Sequence, residues 1–416
     1  MAAQRVPAME AAVRIMRDEG VDSVFGCPGG ALLPLYTAME QVGGVEHLTA
    51  LHEEGAVHMA DGWARTSGKP GVAAVAAGPG AARLITGLYA AQQDAVPLVC
   101  VLGRAASADR PASGVPRQAA GRPPDVIRLA GPVTKRAERI EDPARIPGAF
   151  REAFRIAREG RPGPVLIDLP ADRAAAEILY DAGFLPGFES RAARAAAGPP
   201  PPRPVRAAAV GGAAAPWAVR EISRIFGTQA AGGAAPPYLV SSSAGPFAAA
   251  AAGTPRHRFH GRSGPPGWEV PAAIGVRTAL DSRGEREAEV VAVIDGHGFP
   301  FMAEELAVAA QYGVPFVVIM LNPEYPGPVH RSGGGYSPDV PVGIHHEQLT
   351  NHVRLVEAYG CAGRAVADPE ELRSALEWAR KEAVSTRRPV LVEARIERGG
   401  PAPGGPAPGA GREFTP

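Results

Sequence analysis

Lysine, cysteine and net charge are all scarce in this chain, and each shortage excludes something. Only three lysines (Lys69, Lys135, Lys381) are present, and 43 basic residues balance 43 acidic ones to a formal net charge of zero. A whole-chain basic footprint for nucleic acid or an anionic membrane is therefore missing, and neither is expected as a partner. The three cysteines, Cys27, Cys100 and Cys361, include no CxxC pair. They cannot build a disulfide framework or a four-thiolate zinc site, and they fit a reducing, cytoplasmic compartment. No run approaches the ~18 apolar residues needed to cross a bilayer. The opening MAAQRVPAMEAAVRIMRDEG carries charges where a secretory leader has an apolar stretch.

What the chain does have is length, apolar residues and turn formers. Its 416 residues are 45% hydrophobic and 21% charged, with 51 glycines and 44 prolines, enough for two or three domains of the usual ~100–200 residues. Apolar runs at 21–25, 45–51, 72–76, 98–102 and 165–169 read as buried strands. Helix-length amphipathic stretches at 31–41, 54–65, 81–94 and 146–159 lie between them. After a Pro/Ala-rich stretch the alternation resumes, with strands expected at 238–241, 290–294, 315–321 and 390–394 and helices at 302–312, 351–359 and 369–382. This rhythm predicts an α/β protein with two doubly wound, parallel-sheet domains. The expected boundaries are 1–190 for the first domain, 191–216 for a linker, 217–398 for the second domain and 399–416 for a Pro/Gly-rich disordered tail.

Two strand-to-helix joints carry candidate chemistry. His52-Glu53-Glu54-Gly55-Ala56 sets carboxylates at the end of a strand, where α/β sheets collect ligands. A carboxylate desolvated there becomes an acid–base group; equally, Glu53 and Glu54 suit the positive end of a helix. Gly78-Pro79-Gly80 lets a ligand approach the backbone closely, or simply makes a tight turn. Clusters at 257–262, 330–331 and 345–346 add histidine and arginine in loops.

Taken in order, Phe25-Gly26-Cys27-Pro28-Gly29-Gly30, the His52 and Gly78 motifs, Asp61-Gly62-Trp63-Ala64-Arg65 and Gly160-Arg161-Pro162-Gly163-Pro164 resemble the pyrimidine-binding domain of thiamine diphosphate enzymes of the acetolactate synthase and glyoxylate carboligase group. Gly264-Pro265-Pro266-Gly267-Trp268, Pro271-Ala272-Ala273-Ile274-Gly275 and Phe301-Met302-Ala303-Glu304-Glu305-Leu306 resemble the diphosphate-binding domain of the same family.

The resemblance implies that Glu53 hydrogen-bonds the aminopyrimidine of thiamine diphosphate and promotes loss of the thiazolium C2 proton, so that a small 2-oxo acid is attacked and decarboxylated. It implies a cofactor site lined by Gly29, Gly30, Gly78, Pro79, Gly80, Gly264, Pro266, Gly296, His297 and Gly298, with His52 and Gln118 near the substrate. Glu53 is retained here, whereas glyoxylate carboligases carry valine at that place. The family's central domain is replaced by the proline-rich linker, so no flavin is expected.

The family holds magnesium through an Asp and, about 27 residues later, the second Asn of a pair. Gly296 and Pro323 stand at those places, and neither side chain ligates a metal. Asp295 and Asn322, one residue earlier, keep the mutual spacing and are the only substitutes offered. Because the family pairs its half-sites across subunits, the resemblance also implies a homo-oligomer (dimer or tetramer) or a hetero-oligomer with a homologous subunit. Two readings stay open: a thiamine diphosphate-dependent lyase or carboligase, and a cofactor-poor relative that serves a partner subunit or uses the crevice for thiamine-independent chemistry.

Overall fold

Apolar runs too short for helices, separated by glycine and proline, become parallel strands buried on both faces. The computed structural model describes residues 4–105, 125–181, 221–222, 224–226, 237–242, 258–261, 264–323 and 350–396. The N-terminal half comprises β1 Gln4–Pro7, α1 Ala8–Asp18, β2 Ser23–Cys27, α2 Leu33–Val42, β3 Glu46–Thr49, α3 Glu53–Ser67, β4 Gly71–Ala76, α4 Leu84–Asp94, β5 Leu98–Arg104, α5 Val126–Ala130, β6 Arg136–Arg139, α6 Ile146–Arg158, β7 Pro164–Pro170, α7 Ala171–Ala175 and β8 Glu177–Tyr180. The C-terminal half comprises β9 Tyr238–Ser242, β10 Arg258–Gly261, α8 Glu269–Ser282, β11 Val290–Asp295, α9 Glu305–Tyr312, β12 Val317–Pro323, α10 His352–Ala358, β13 Ala362–Val366, α11 Pro369–Thr386 and β14 Val390–Ile396. The linker at 191–216 and the tail at 399–416 lie outside the described residues.

Each half holds one six-stranded, all-parallel sheet, ordered β3-β2-β4-β5-β7-β6 and β10-β9-β11-β12-β14-β13. Numbered from its own first strand, each sheet reads 2-1-3-4-6-5. The doubly wound α/β expectation holds, and the two halves repeat one topology. Strand order reverses between β2 and β4 in one sheet and between β9 and β11 in the other, and such points are where open α/β sheets bind ligands. A short antiparallel pair, β1 with β8, flanks the first sheet.

α3 and α8 occupy equivalent places, each connecting the second strand of its sheet to the third, and they pack on each other. One apolar core runs through this contact, with Met59, Ala60 and Trp63 from α3 and Ala272, Ala273, Ile274 and Val276 from α8. A Cβ added to Gly62 would overlap the carbonyl of Ala272, and one added to Gly275 the carbonyl of Met59. Only glycine allows so close a crossing. α8 was not expected from the sequence; residues 270–280 are almost wholly buried, so no polar face marks its period.

Candidate active site

α3 begins directly after the β3 end. His52 caps it, its Nδ1 accepting from the Glu54 N–H at 3.2 Å, so this ring is engaged in starting the helix. Glu53 is the first helical residue. Its carboxylate lies so close to Gly80 that any side chain at 80 would overlap Oε1. Arg83 Nη1 donates to Glu53 Oε2 at 3.2 Å. The N-terminal candidates Gly29, Gly30, Gly78, Pro79 and Gly80 thus gather at the switch point between β2 and β4, with Glu53 against them. Among the described residues, a methyl group at Gly30 or Gly78 would meet open space. Cys27, on the same rim, is pushed up to about 12 by burial and by the negative charges of Glu53 and Glu305, so it stays a thiol.

The motif at 61–65 is architectural. Arg65 is held by Asp61 and, at 2.7 Å, by Asp94, and it lies over the Trp268 ring at 5.2 Å. Trp63 Nε1 donates to Asp22 Oδ1 at 3.1 Å.

At the second switch point, the 264–268 and 295–298 turns meet. Gly264 lies against Trp268, and a Cβ on Gly298 would stand 3.3 Å from the Gly267 nitrogen. Gly267 needs its positive φ of 90°, and Met302 and Phe301 crowd it. Pro266 and His297 are exposed, the latter with its ring edge-on to Phe301 at 5.9 Å. Glu269, first residue of α8 as Glu53 is of α3, is buried and accepts from the Ser242 N–H at 2.9 Å. Burial, opposed by hydrogen bonds from its own N–H and Ser242 and helped by the charge of Asp295, pushes it up to about 7.

Asp295 and Asn322 do not converge. Asp295 pairs in register with Leu321, so both side chains leave the same face of the sheet, and Oδ1 of Asp295 accepts from the Gly298 N–H at 2.6 Å. Asn322, one residue on and still paired with Arg395 of β14, turns to the opposite face. There its Nδ2 donates to Glu393 Oε1 at 2.7 Å, with His352 Nδ1 3.5 Å from the same oxygen. Burial opposes ionisation of Glu393, but the neighbouring His352, the Asn322 hydrogen bond and the charge of Arg395 hold it below its ordinary value. The expected substitution of this pair for the family's magnesium ligands is therefore corrected: strand alternation separates the two side chains. Among the described residues, no group of three or more His, Cys, Asp or Glu side chains could hold a metal ion.

The two clusters are tied by α9. Glu305, fully buried, accepts from the Leu51 N–H at 3.2 Å and the His52 N–H at 2.9 Å. Tyr312, at the other end of α9, accepts from the Thr49 N–H at 3.2 Å and donates to Thr49 Oγ1 at 3.1 Å. Sequence reasoning assigned no role to Glu305 or Glu269; the first was visible only inside the Glu304-Glu305-Leu306 likeness. Gln118 and the loop clusters at 330–331 and 345–346 lie outside the described residues, as do the side chains of 257–262. Within this chain the two halves touch through Glu305 and Tyr312 of α9 and through the packing of α3 on α8.

Two parallel-sheet halves of one strand order, with a carboxylate at the switch point of the first, make up an α/β fold with a candidate ligand site. Residues 7–125 match the family described as thiamine pyrophosphate enzyme, N-terminal TPP binding domain, and residues 244–394 match its C-terminal TPP binding domain. The chain is 41% identical over 169 residues to the acetolactate synthase large subunit of Haemophilus influenzae, covering 41% of this chain and 28% of that protein. It is 39% identical over 194 residues to the glyoxylate carboligase of Escherichia coli O157:H7, covering 46% of this chain and 32% of that protein. The aligned part thus spans less than a third of either relative. A Mycobacterium smegmatis crystal structure, provisionally assigned as a thiamin diphosphate-dependent enzyme, shares the fold with a TM-score of 0.68 at 16% identity, covering 94% of this chain and 99% of that one. This chain belongs to the thiamine pyrophosphate enzyme family. Among the described residues, no helix is long and apolar enough to cross a membrane.

The residues present are compatible with the pyrimidine end of that cofactor: Glu53 stands against Gly80, and a methyl group at Gly30 or Gly78 would meet open space. They do not fit the family's magnesium: Gly296 has no side chain, and Asp295 and Asn322 diverge.

Proposed function

We propose that this protein is a thiamine diphosphate-dependent carbon–carbon lyase or carboligase acting on a small 2-oxo acid. The observation that supports it is the Glu53 carboxylate packed against Gly80 at the N-terminal switch point. When bound, thiamine diphosphate supplies the sink for the electron pair released as the carboxylate leaves. Glu53 holds the proton exchanged with the aminopyrimidine, and Arg83 keeps its carboxylate turned to the rim. Cys27, held protonated beside it, offers no competing nucleophile. The backbone of the Asp295–Gly298 turn remains for the diphosphate, with no step assigned to magnesium. Titration calorimetry with thiamine diphosphate, followed by carbon dioxide release from pyruvate or glyoxylate, tests the reading. No binding at millimolar cofactor would remove it.

A second reading, a cofactor-poor relative that lends its Glu53 half to a partner subunit, draws on Gly296 and on the Asn322–Glu393 hydrogen bond. Co-purification with a homologous chain, together with activity only in that mixture, would favour it.

A further inference from the structure

We infer that Glu305 is a positioning residue that sets Glu53 from the opposite half of the same chain. Where it concerns the role of Glu53, this inference rests on the function proposed above. Glu305 is the first residue of α9 and is completely buried, yet it reaches out of its own half. Oε1 accepts from the His52 N–H at 2.9 Å and from the Leu51 N–H at 3.2 Å, and Oε2 also lies 3.2 Å from the Leu51 nitrogen. These are the two peptides immediately ahead of Glu53, so the carboxylate grips the stretch of backbone from which Glu53 projects.

The surroundings are shaped for this grip. A side chain at Gly55 would overlap Glu305 Oε1, so the first turn of α3 is folded round the carboxylate. Tyr312, one helix length along α9, holds Thr49 through both its backbone N–H and its hydroxyl. The two ends of α9 thus clamp residues 49, 51 and 52, and the freedom left between β3 and α3 is small. Burial pushes Glu305 up to about 7, opposed by the Leu51 and His52 hydrogen bonds and helped by the charge of Glu304. Among the described residues no lysine or arginine is paired with it. Its strongest partners are the two amides, which makes those hydrogen bonds directional rather than diffuse. Displacing Glu53 by about 1 Å would be felt strongly in any proton transfer it makes, since misplacement of that size costs on the order of 10²-fold.

The alternative is that Glu305 merely fastens the halves together. Two readouts separate the cases in Glu305→Gln and Glu305→Ala, with Tyr312→Phe as a packing comparison. Amide hydrogen exchange of the peptide spanning 49–55 needs no cofactor: the Leu51 and His52 amides should lose protection in Glu305→Ala and keep part of it in Glu305→Gln. Deuterium exchange at C2 of bound thiamine diphosphate, followed by proton NMR, reports on Glu53. It should slow by about 10²-fold in Glu305→Ala and by less in Glu305→Gln, with cofactor affinity nearly unchanged. Tyr312→Phe, which frees only Thr49 at the far end of the clamp, should slow it less than Glu305→Ala does. Unchanged C2 exchange in a folded Glu305→Ala with deprotected amides would overturn the inference, as would amides that stay protected. If Glu305→Ala does not fold, the Gln variant decides by the same two measures. Failure of the wild-type protein to bind the cofactor would instead strike the proposed function, and amide exchange would still decide whether the clamp exists.

Discussion

Gly275 of α8 presents a bare α-carbon to the carbonyl oxygen of Met59 in α3, and Gly62 of α3 does the same to the carbonyl of Ala272. At these two points the helices meet backbone to backbone, so neither position tolerates added volume. Gly62→Val or Gly275→Val should cost about 1–3 kcal/mol or more, because carbonyl oxygens held in helices cannot step aside. Urea unfolding would read the loss. Gly30→Ala, whose new methyl meets open space, should stay within about 0.5 kcal/mol of wild type.

The same contact lies within a single chain, and that can be tested directly. In a Cys27→Ser background, Thr49→Cys with Tyr312→Cys should be bridged by a short bismaleimide inside one polypeptide. Isotopically heavy and light chains, mixed before cross-linking, make bridges within and between chains distinguishable by mass. Heavy–light bridged peptides would show that the halves pair between chains instead.

Glu269 and Glu305 both stand at about 7, raised from 4.5 chiefly by burial. A carboxyl that holds its proton more tightly when folded favours folding at low pH. Its contribution is complete below about 4.5 and is lost as pH rises through about 7. His47 works the other way, since burial lowers its pKa from 6.5 and the folded state resists charging it in acid. The informative quantity is therefore a difference. The urea midpoint of wild type should fall relative to Glu269→Gln between about pH 5 and pH 8. Parallel profiles would mean that Glu269 ionises normally.

Asn322 Nδ2 donates to Glu393 Oε1 at 2.7 Å. Asn322→Leu removes a donor from a buried carboxylate and should destabilise the fold by about 1–3 kcal/mol. Cofactor affinity should respond to magnesium or to a chelator equally in wild type and variant. If the variant alone loses a magnesium-dependent gain in calorimetry, Asn322 is a ligand after all.

Replacing Glu53 by glutamine should lower kcat by about 10²–10⁴-fold while leaving cofactor affinity close to wild type, the range expected for removal of a positioned proton-transfer group. Arg83→Ala breaks only a half-exposed ion pair and should change stability by no more than about 1 kcal/mol. Equal kcat in wild type and Glu53→Gln would take the catalytic role away from this side chain.

Much of the architecture could be read from residue order. β4, β5, β7, β11 and β14 fall within two residues of the runs that announced them, since strands buried on both faces show unbroken apolar sequence. α9 begins three residues later than expected because Met302 leaves the helical region and residues 302–304 form a bend and turn after the 3₁₀ turn at Phe299–Phe301. α8 was illegible for the opposite reason to a surface helix: with Val270, Ala273, Ile274 and Ala279 all enclosed, it has no wet side. The Glu53–Gly80 cluster was recognisable because each member sits at a strand end. The fate of Asp295 and Asn322 was not, because spacing along the chain is silent about strand register, and one residue of offset reverses the direction of a side chain. Glu305 was hidden because its partners are backbone amides some 250 positions away, which leave no trace in residue identity.

The repeated strand order makes this polypeptide a structural doublet, with a glutamate opening the equivalent helix in each half. A doublet lets its copies drift at different speeds. Here the first copy opens its helix with a glutamate set against Gly80, while the second opens its own with a glutamate buried against the Ser242 amide, so one topology carries two different rims.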